Sequence, residues 1–403
     1  MLLPRARRGL LVAKGCFLRL HGNEVGLQPR PKCFGGAYQA FLPSGSRALR
    51  GQRSSSGEAA ENSSMTPMLR HLAMKIKSTG PITVAEYMRE ALTNPAKGYY
   101  MQRDMLGERG DFITSPEISQ IFGELIGIWF VSEWMANGKP NKFQLVELGP
   151  GRGSLTSDIL RVFNQLSSLL SKCDISVHLV EISPKLSEIQ ASVLTGEKTE
   201  LQESCLAYMQ GVTKSGLPIF WYRDLNDVPV GFNFYLAHEF LDALPIHKFQ
   251  KTEKGWRELL IDIDPEAPDK LQFVLAPSAT PAAEAFIHDK ESRDHVEVCP
   301  DAGVIIQKLA HDIEKNGGGA LIIDYGHDGT KTDTFRVLLQ NAKDAINRNQ
   351  LLRSYEMLMD LNKMGGCFNF FAMLPHNRFS SSDQVKKPSA SASVAGFGEL
   401  VWK

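Results

Sequence analysis

Phe143-Gln144-Leu145-Val146-Glu147-Leu148-Gly149-Pro150-Gly151-Arg152-Gly153-Ser154 is the stretch whose reading decides the fold. A short apolar strand runs into three glycines at alternate positions, with a carboxylate, Glu147, two residues before the first. Apolar side chains then recur at Leu155, Ile159, Leu160, Phe163, Leu166 and Leu170, a helical spacing. Glycine lets the backbone turn sharply and come close to a ligand where a Cβ would clash. The start of the following helix offers free N–H groups to that ligand. A glycine-rich strand-to-helix turn also has purely structural uses, so the motif alone leaves both readings open.

Two cofactor classes use such a turn. A dinucleotide fingerprint requires Gly-x-Gly-x-x-Gly, and the position of its third glycine is Ser154 here. The actual spacing, Glu-x-Gly-x-Gly-x-Gly, resembles the first motif of S-adenosylmethionine-dependent methyltransferases. That cofactor has no pyrophosphate but carries a sulfonium and an ammonium, which suits a carboxylate at the strand end. On this reading Glu147, Gly149, Gly151 and Gly153 bind S-adenosyl-L-methionine, the carboxylate acting directly or through water.

Working outward, further strands are predicted over 175–181, over 234–237 ending at His238-Glu239, and over 320–324. Helices are predicted from Pro184 to about Leu194 and from near Asp301 to Gly317. Strands alternating with helices predict an α/β fold, a doubly wound Rossmann-like methyltransferase sheet. Residues 65–141 read as an N-terminal helical cap, with one helix entering at Ser115-Pro116 and running through Ile118, Ile121, Phe122, Leu125, Ile126 and Trp129. The core then spans 142–336, interrupted at about 245–300 by a small antiparallel β insertion. There Trp256 to Asp264 alternates polar and apolar residues after Glu253-Lys254-Gly255. Residues 337–403 form a shortened C-terminal region with a Ser/Lys/Gly-rich tail.

Composition narrows the function. The chain has 403 residues, 43% hydrophobic and 22% charged, as expected of a globular protein. The richest apolar stretch, Ile121 to Trp134, is broken by Glu124 and Glu133, so no membrane span is predicted. Net charge is zero but uneven: residues 1–57 hold ten Lys/Arg and one acid, Glu24, and the remaining body is acidic. An acidic body argues against general nucleic-acid binding. The arginine- and serine-bearing start without a long apolar centre reads as a mitochondrial transit segment, with the body destined for the matrix. Six cysteines without a Cys-x-x-Cys indicate neither a zinc site nor a disulfide scaffold.

Several polar residues fall at predicted strand ends, where a parallel sheet meets its ligand. Glu181 closes the second strand and is placed to meet the ribose hydroxyls; a surface glutamate is the plainer alternative. Asp224, after a third strand, is a candidate for the adenine amino group or else a loop cap. His238, Glu239 and Asp242 cluster directly after Phe234–Ala237. They carry no third group at metal-ligand spacing, so no metal site is predicted. Asp324 ends another strand at the same rim.

Gly110-Asp111-Phe112-Ile113-Thr114-Ser115-Pro116-Glu117-Ile118-Ser119, Phe122-Gly123-Glu124, the Val146–Gly153 turn and the His238–Pro245 turn together resemble the MidA-like methyltransferases. Trp256-Arg257-Glu258, Asp324-Tyr325-Gly326-His327 and Phe368–Pro375 match the same family. The transit-like start places the chain with its mitochondrial members. The resemblance implies a protein-arginine N-methyltransferase that forms symmetric dimethylarginine on a matrix-arm core subunit of respiratory complex I during assembly, namely NADH dehydrogenase iron-sulfur protein 2. Glu239, then Asp242, would grip the guanidinium, and His238 would carry away a proton. The Gly110–Glu117 segment would help close the pocket. The chain departs from the family after Arg336, where a Gly-x-x-Asp-Leu-Thr-type stretch is absent; losing the strands beyond it should expose the sheet edge. That departure keeps open a non-catalytic complex I assembly chaperone on a methyltransferase-like fold. Methyl transfer to a small molecule and a nicotinamide-dependent oxidoreductase are the other readings, the latter disfavoured by Ser154.

Overall fold

In a computed structural model of the chain, residues 12–13, 65–107, 112–196, 199–201, 206–325 and 368–374 are described. The main sheet is built on β1 (Lys142–Leu148), β2 (Asp174–Val180), β3 (Met209–Val212), β4 (Pro218–Tyr222) and β5 (Asn233–His238). A small second sheet follows from β6 (His247–Thr252), β7 (Gly255–Ile263), β8 (Leu271–Leu275) and β9 (His295–Val298). The chain then returns to the main sheet with β10 (Gly318–Tyr325) and β11 (Phe368–Met373).

Five strands run parallel in the order β10-β5-β1-β2-β4, with β1 at the centre. Successive residues of β1 point to opposite faces, and both faces are apolar and buried, as a parallel sheet covered by helices requires. Phe143 and Leu145 join one core with Trp129, Phe130, Ile159 and Phe163. Val146 and Leu148 join the other with Tyr235, Leu309 and Ile313. The helices responsible are α3 (Gln120–Ala136), α4 (Ser154–Gln165) and α5 (Pro184–Leu194) on the first face and α6 (Pro300–Asn316) on the second. The doubly wound expectation holds.

The sheet edge is not left bare. β11 pairs antiparallel with β10 from Ala320↔Met373 to Tyr325↔Phe368, and Val12–Ala13 pairs with β11. The Phe368–Met373 stretch thus covers the β10 side of the sheet, where an exposed edge was expected. The junction at Arg336, the tail from Ser380 and the rest of 1–57 lie outside the described residues.

Two further features differ from the sequence reading. The helix predicted from Ser115 is divided into a single turn, Ser115–Ile118, and α3, with Ser119 extended between them (φ −151°, ψ 121°). The capping box of Thr114 and Glu117 closes the turn on itself. The early cap also packs on the insertion. Helices α1 (Pro67–Thr79) and α2 (Val84–Thr93) share a cluster of Leu72, Ile76, Ile82, Val84 and Met88 with Ile261 of β7, and Ile82–Thr83 pairs with that strand. No helix among the described residues is long and apolar enough to cross a membrane.

Candidate functional site

The C-terminal ends of β1, β2, β5 and β10 converge on one crevice, and each delivers a carboxylate. From β1 the chain enters the glycine turn, where Gly149, Gly151 and Gly153 all lie at positive φ (62°, 55° and 82°). An L side chain is strained in that region. A Cβ at Gly149 would also sit 2.7 Å from the Phe240 ring. Gly153, the N-cap residue of α4, has no side chain to accept the first N–H groups of the helix.

Glu147 is buried, and its carboxylate accepts from both the hydroxyl and the backbone N–H of Thr156 on α4. It therefore ties the two arms of the turn together, and the ammonium contact expected of it has a competitor within the chain. Glu181, just past β2, accepts the Ser183 N–H at 2.8 Å on one oxygen and the Gln190 amide at 3.0 Å on the other. Gln190 also donates to the Gly151 carbonyl at 2.7 Å and accepts from Trp221 at 2.9 Å. Sequence reasoning missed Gln190, which joins the second acid to the glycine turn. Asp224 stands apart: it is exposed, and its Oδ1 accepts from the backbone and side-chain nitrogens of Asn226 at 2.8 and 2.9 Å. The loop-capping alternative describes this Oδ1, since a short aspartate two residues before a free N–H closes an Asx-type turn.

His238, Glu239 and Asp242 are brought together as expected. Glu239 adopts φ 49°, uncommon for any residue with a Cβ, and its N–H bonds the Ile323 carbonyl at 2.9 Å. Its Oε1 accepts from Ser115 at 3.4 Å and lies 3.4 Å from His238 Nε2. Asp324 turns out to be more than a rim residue. Its Oδ2 accepts the N–H groups of Phe240, Leu241 and Asp242 at 3.2, 2.7 and 3.3 Å, which fixes the turn that presents the other two acids. Tyr100 was also missed. Its carbonyl accepts from Ser183 at 2.5 Å, and its phenol is pushed up to about 12 by burial and then by the charges of Asp242, Glu239 and Glu181.

Burial dominates the electrostatics. It pushes Glu147, Glu181 and Glu239 each up to about 7, with Asp242 as the next cause for Glu239. Asp242, more open at the rim, is raised by the protein packed about its carboxyl and then by Asp324. His238 is driven down to about 3 by burial, so it stays neutral and weakly basic. Such carboxyls wait for a cation. Their folded pKa values lie above the unfolded ones, so their contribution to stability is present below about pH 4 and lost as pH rises through about 7. A cation drawn into the crevice should shed their protons. Its affinity should therefore rise from about pH 6 to about pH 8 and level off above. Calorimetry of S-adenosylmethionine binding across that range checks this, and a flat affinity would refute it.

The donor set fits that cofactor. Acceptors stand where a sulfonium and an ammonium need partners, and the N–H groups at the start of α4 other than that of Thr156 suit a carboxylate. A turn without Cβ atoms admits close approach. Among the described residues there is no cluster of three groups able to hold a metal.

Comparison with known proteins agrees. The sequence model of the S-adenosyl-L-methionine-dependent methyltransferase family matches residues 125–352. The rat protein arginine methyltransferase NDUFAF7, mitochondrial, is 58% identical over 413 residues, covering 87% of this chain and 94% of the relative. Its human counterpart is 58% identical over 419 residues, covering 88% and 95%. Both alignments are longer than this chain, so these relatives carry residues with no counterpart here. The Drosophila melanogaster homolog is 50% identical over 280 residues, covering 68% of this chain and 63% of its own. A crystal structure from Burkholderia thailandensis with S-adenosyl-homocysteine bound superposes with a TM-score of 0.51 at 23% identity, covering 64% of this chain and 62% of that one, a likeness of fold.

Proposed function

The chain belongs to the S-adenosyl-L-methionine-dependent methyltransferases, and from that premise we propose that its acceptor is an arginine of a protein. S-adenosylmethionine is its cofactor and the chain is mitochondrial, in keeping with its family and its relatives' names. The observation that carries the arginine reading is the pair Glu239 and Asp242. These two carboxyls, the first half-buried and the second more open, stand three residues apart on a turn pinned by Asp324, beside the glycine turn of the cofactor. The rat and human relatives are named protein arginine methyltransferases, which supports the same reading.

When bound, the cofactor supplies an electrophilic methyl group on a sulfonium. The rest falls to the chain. A guanidinium remains protonated at neutral pH and presents a planar fork of donors. Glu239 would accept from one edge of the fork and Asp242 from another, which aligns it and draws positive charge away from the attacking nitrogen. Both carboxyls ionise as the cation enters, because its charge offsets the desolvation that kept them neutral. His238 is a poor proton carrier in this setting, since burial keeps it neutral at any pH near 7. The proton lost on methylation would pass to Glu239 or to water.

The finer reading is symmetric dimethylation of NADH dehydrogenase iron-sulfur protein 2 in the matrix arm of complex I, as the family resemblance implies. Incubating the chain with that purified subunit and isotopically labelled S-adenosylmethionine should yield labelled symmetric dimethylarginine by mass spectrometry of the digest. Label on another residue type would defeat the arginine reading. A folded chain that binds the subunit but leaves it unlabelled would favour the assembly-chaperone reading, which the residues absent relative to the relatives keep in view.

A further inference from the structure

A series of contacts runs from the glycine turn through the cap to Glu239. Arg152, between Gly151 and Gly153, sends its side chain out of the turn to the cap. Its Nε lies 3.2 Å from Asp104 Oδ2 and its Nη1 lies 3.6 Å from Glu117 Oε1. The guanidinium passes Gly107, at φ +88°, where a Cβ would collide with Nη1. The two acids belong to one fastened piece of cap: the Gly107 N–H bonds the Phe112 carbonyl at 2.8 Å, and the Phe112 N–H bonds that of Met105 at 3.1 Å. The piece also rests on the turn itself, since a Cβ at Gly151 would lie 2.9 Å from Leu106 Cδ1.

Glu117 passes the contact on. Its Oε2 accepts the Thr114 N–H at 3.3 Å, closing the capping box that sets the single turn Ser115–Ile118. Ser115, fully buried at the head of that turn, donates its hydroxyl to Glu239 Oε1 at 3.4 Å. Arg152 and Ser115 thus stand at two ends of one chain of contacts, with the cofactor turn at one end and the acceptor carboxylate at the other.

We propose that Arg152 is a positioning residue that docks the cap on the glycine turn and so sets Ser115 against Glu239, coupling the cofactor turn to the acceptor carboxylate. This rests on the reading of Glu239 as the group that grips the acceptor. Coupling is energetically real only if the two ends share a free energy, and a double-mutant cycle measures that directly.

The test uses the full chain as Arg152→Gln, Arg152→Lys, Ser115→Ala and the double variant Arg152→Gln/Ser115→Ala. Three quantities are read: kcat for methyl transfer to NADH dehydrogenase iron-sulfur protein 2, Kd for S-adenosylmethionine, and hydrogen exchange of residues 112–119 and 238–244. Each of Arg152→Gln and Ser115→Ala should lower kcat about tenfold while Kd stays within about threefold. The double variant should lose no more than about twentyfold, since both changes break one path. Arg152→Lys should recover much of the loss, because a cation of similar reach remains. Exchange at 238–244 should quicken in Arg152→Gln, although Arg152 makes no contact there. Losses that multiply to about a hundredfold, or exchange that quickens at 112–119 alone, would overturn the coupling. Should the unaltered chain methylate no arginine while the exchange pattern appears as expected, the acceptor reading fails and the coupling stands.

Discussion

Glu239→Gln should lower kcat for arginine methylation by about 10²–10³, with affinity for S-adenosylmethionine changed less than about threefold. Glutamine keeps the volume, the strained backbone position and an oxygen for the Ser115 hydroxyl, so the turn should survive. What it loses is the negative charge that draws the guanidinium's cation away from the attacking nitrogen, and charge-assisted bonds are roughly twice as strong as neutral ones. Stability separates this loss from misfolding. Glu239 holds its proton to about pH 7 in the fold, above its unfolded range, so its ionisation weakens the fold as pH rises. The neutral glutamine avoids that cost. At about pH 8 the variant should be more stable than the unaltered chain, by a margin on the order of 1–3 kcal/mol. Asp242→Asn should lose less, about tenfold, because Asp242 stands second in the grip. A Glu239→Gln chain that is folded and keeps kcat within tenfold would remove Glu239 from the acceptor site.

The parts of this site that could be read from sequence are those built by neighbours in the chain. The glycine turn, the acids after β5 and the boundaries of β1, β2 and α6 are each local patterns, and each stands within a residue or two of its expected place, whereas the helix after the turn ends at Gln165 and the helical spacing carried to Leu170 falls on a separate turn. Asp324 and Ser115 could be placed at the rim and in the closing segment, but the bonds they make could not be read, because their partners are far away in sequence; Gln190 was not read at all, and it reaches the Gly151 carbonyl from 39 positions on. Asp324 acts on residues more than eighty positions earlier, and Ser115 meets Glu239 across 124. Asp224 shows the opposite case: its bond to Asn226, a close neighbour in the chain, accounts for one carboxylate oxygen. Electrostatics were equally hidden. Nothing in His238-Glu239 as letters shows that burial leaves the imidazole neutral and the carboxyl ready to hold a proton.

The glycine turn offers the other large effect, a graded one. Gly149→Val should abolish measurable cofactor binding, a loss of about a hundredfold or more. A β-branched residue at φ 62° is strained by at least about 1–2 kcal/mol, and its Cβ would fall 2.7 Å from the ring of Phe240. The Phe240 backbone cannot retreat freely with its ring, because its N–H is held by Asp324. The clash therefore passes into the acid turn. Gly151→Ala meets the same backbone strain but only the tip of Leu106, a flexible neighbour, so about a tenfold loss is expected. Gly138→Ala is the control: its φ of +83° carries the strain, yet nothing lies within 4 Å of the added carbon and the cofactor is elsewhere. It should cost about 1 kcal/mol of stability and leave binding unchanged. Calorimetric affinity and melting temperature, measured on all three, tell the two contributions apart. If the losses of affinity followed backbone strain alone, the three variants would rank together, and the close-approach account of the turn would fail. If Gly149→Val loses most, Gly151→Ala less and Gly138→Ala nothing, the close packing of Phe240 and Leu106 on the turn is what the cofactor-binding shape requires.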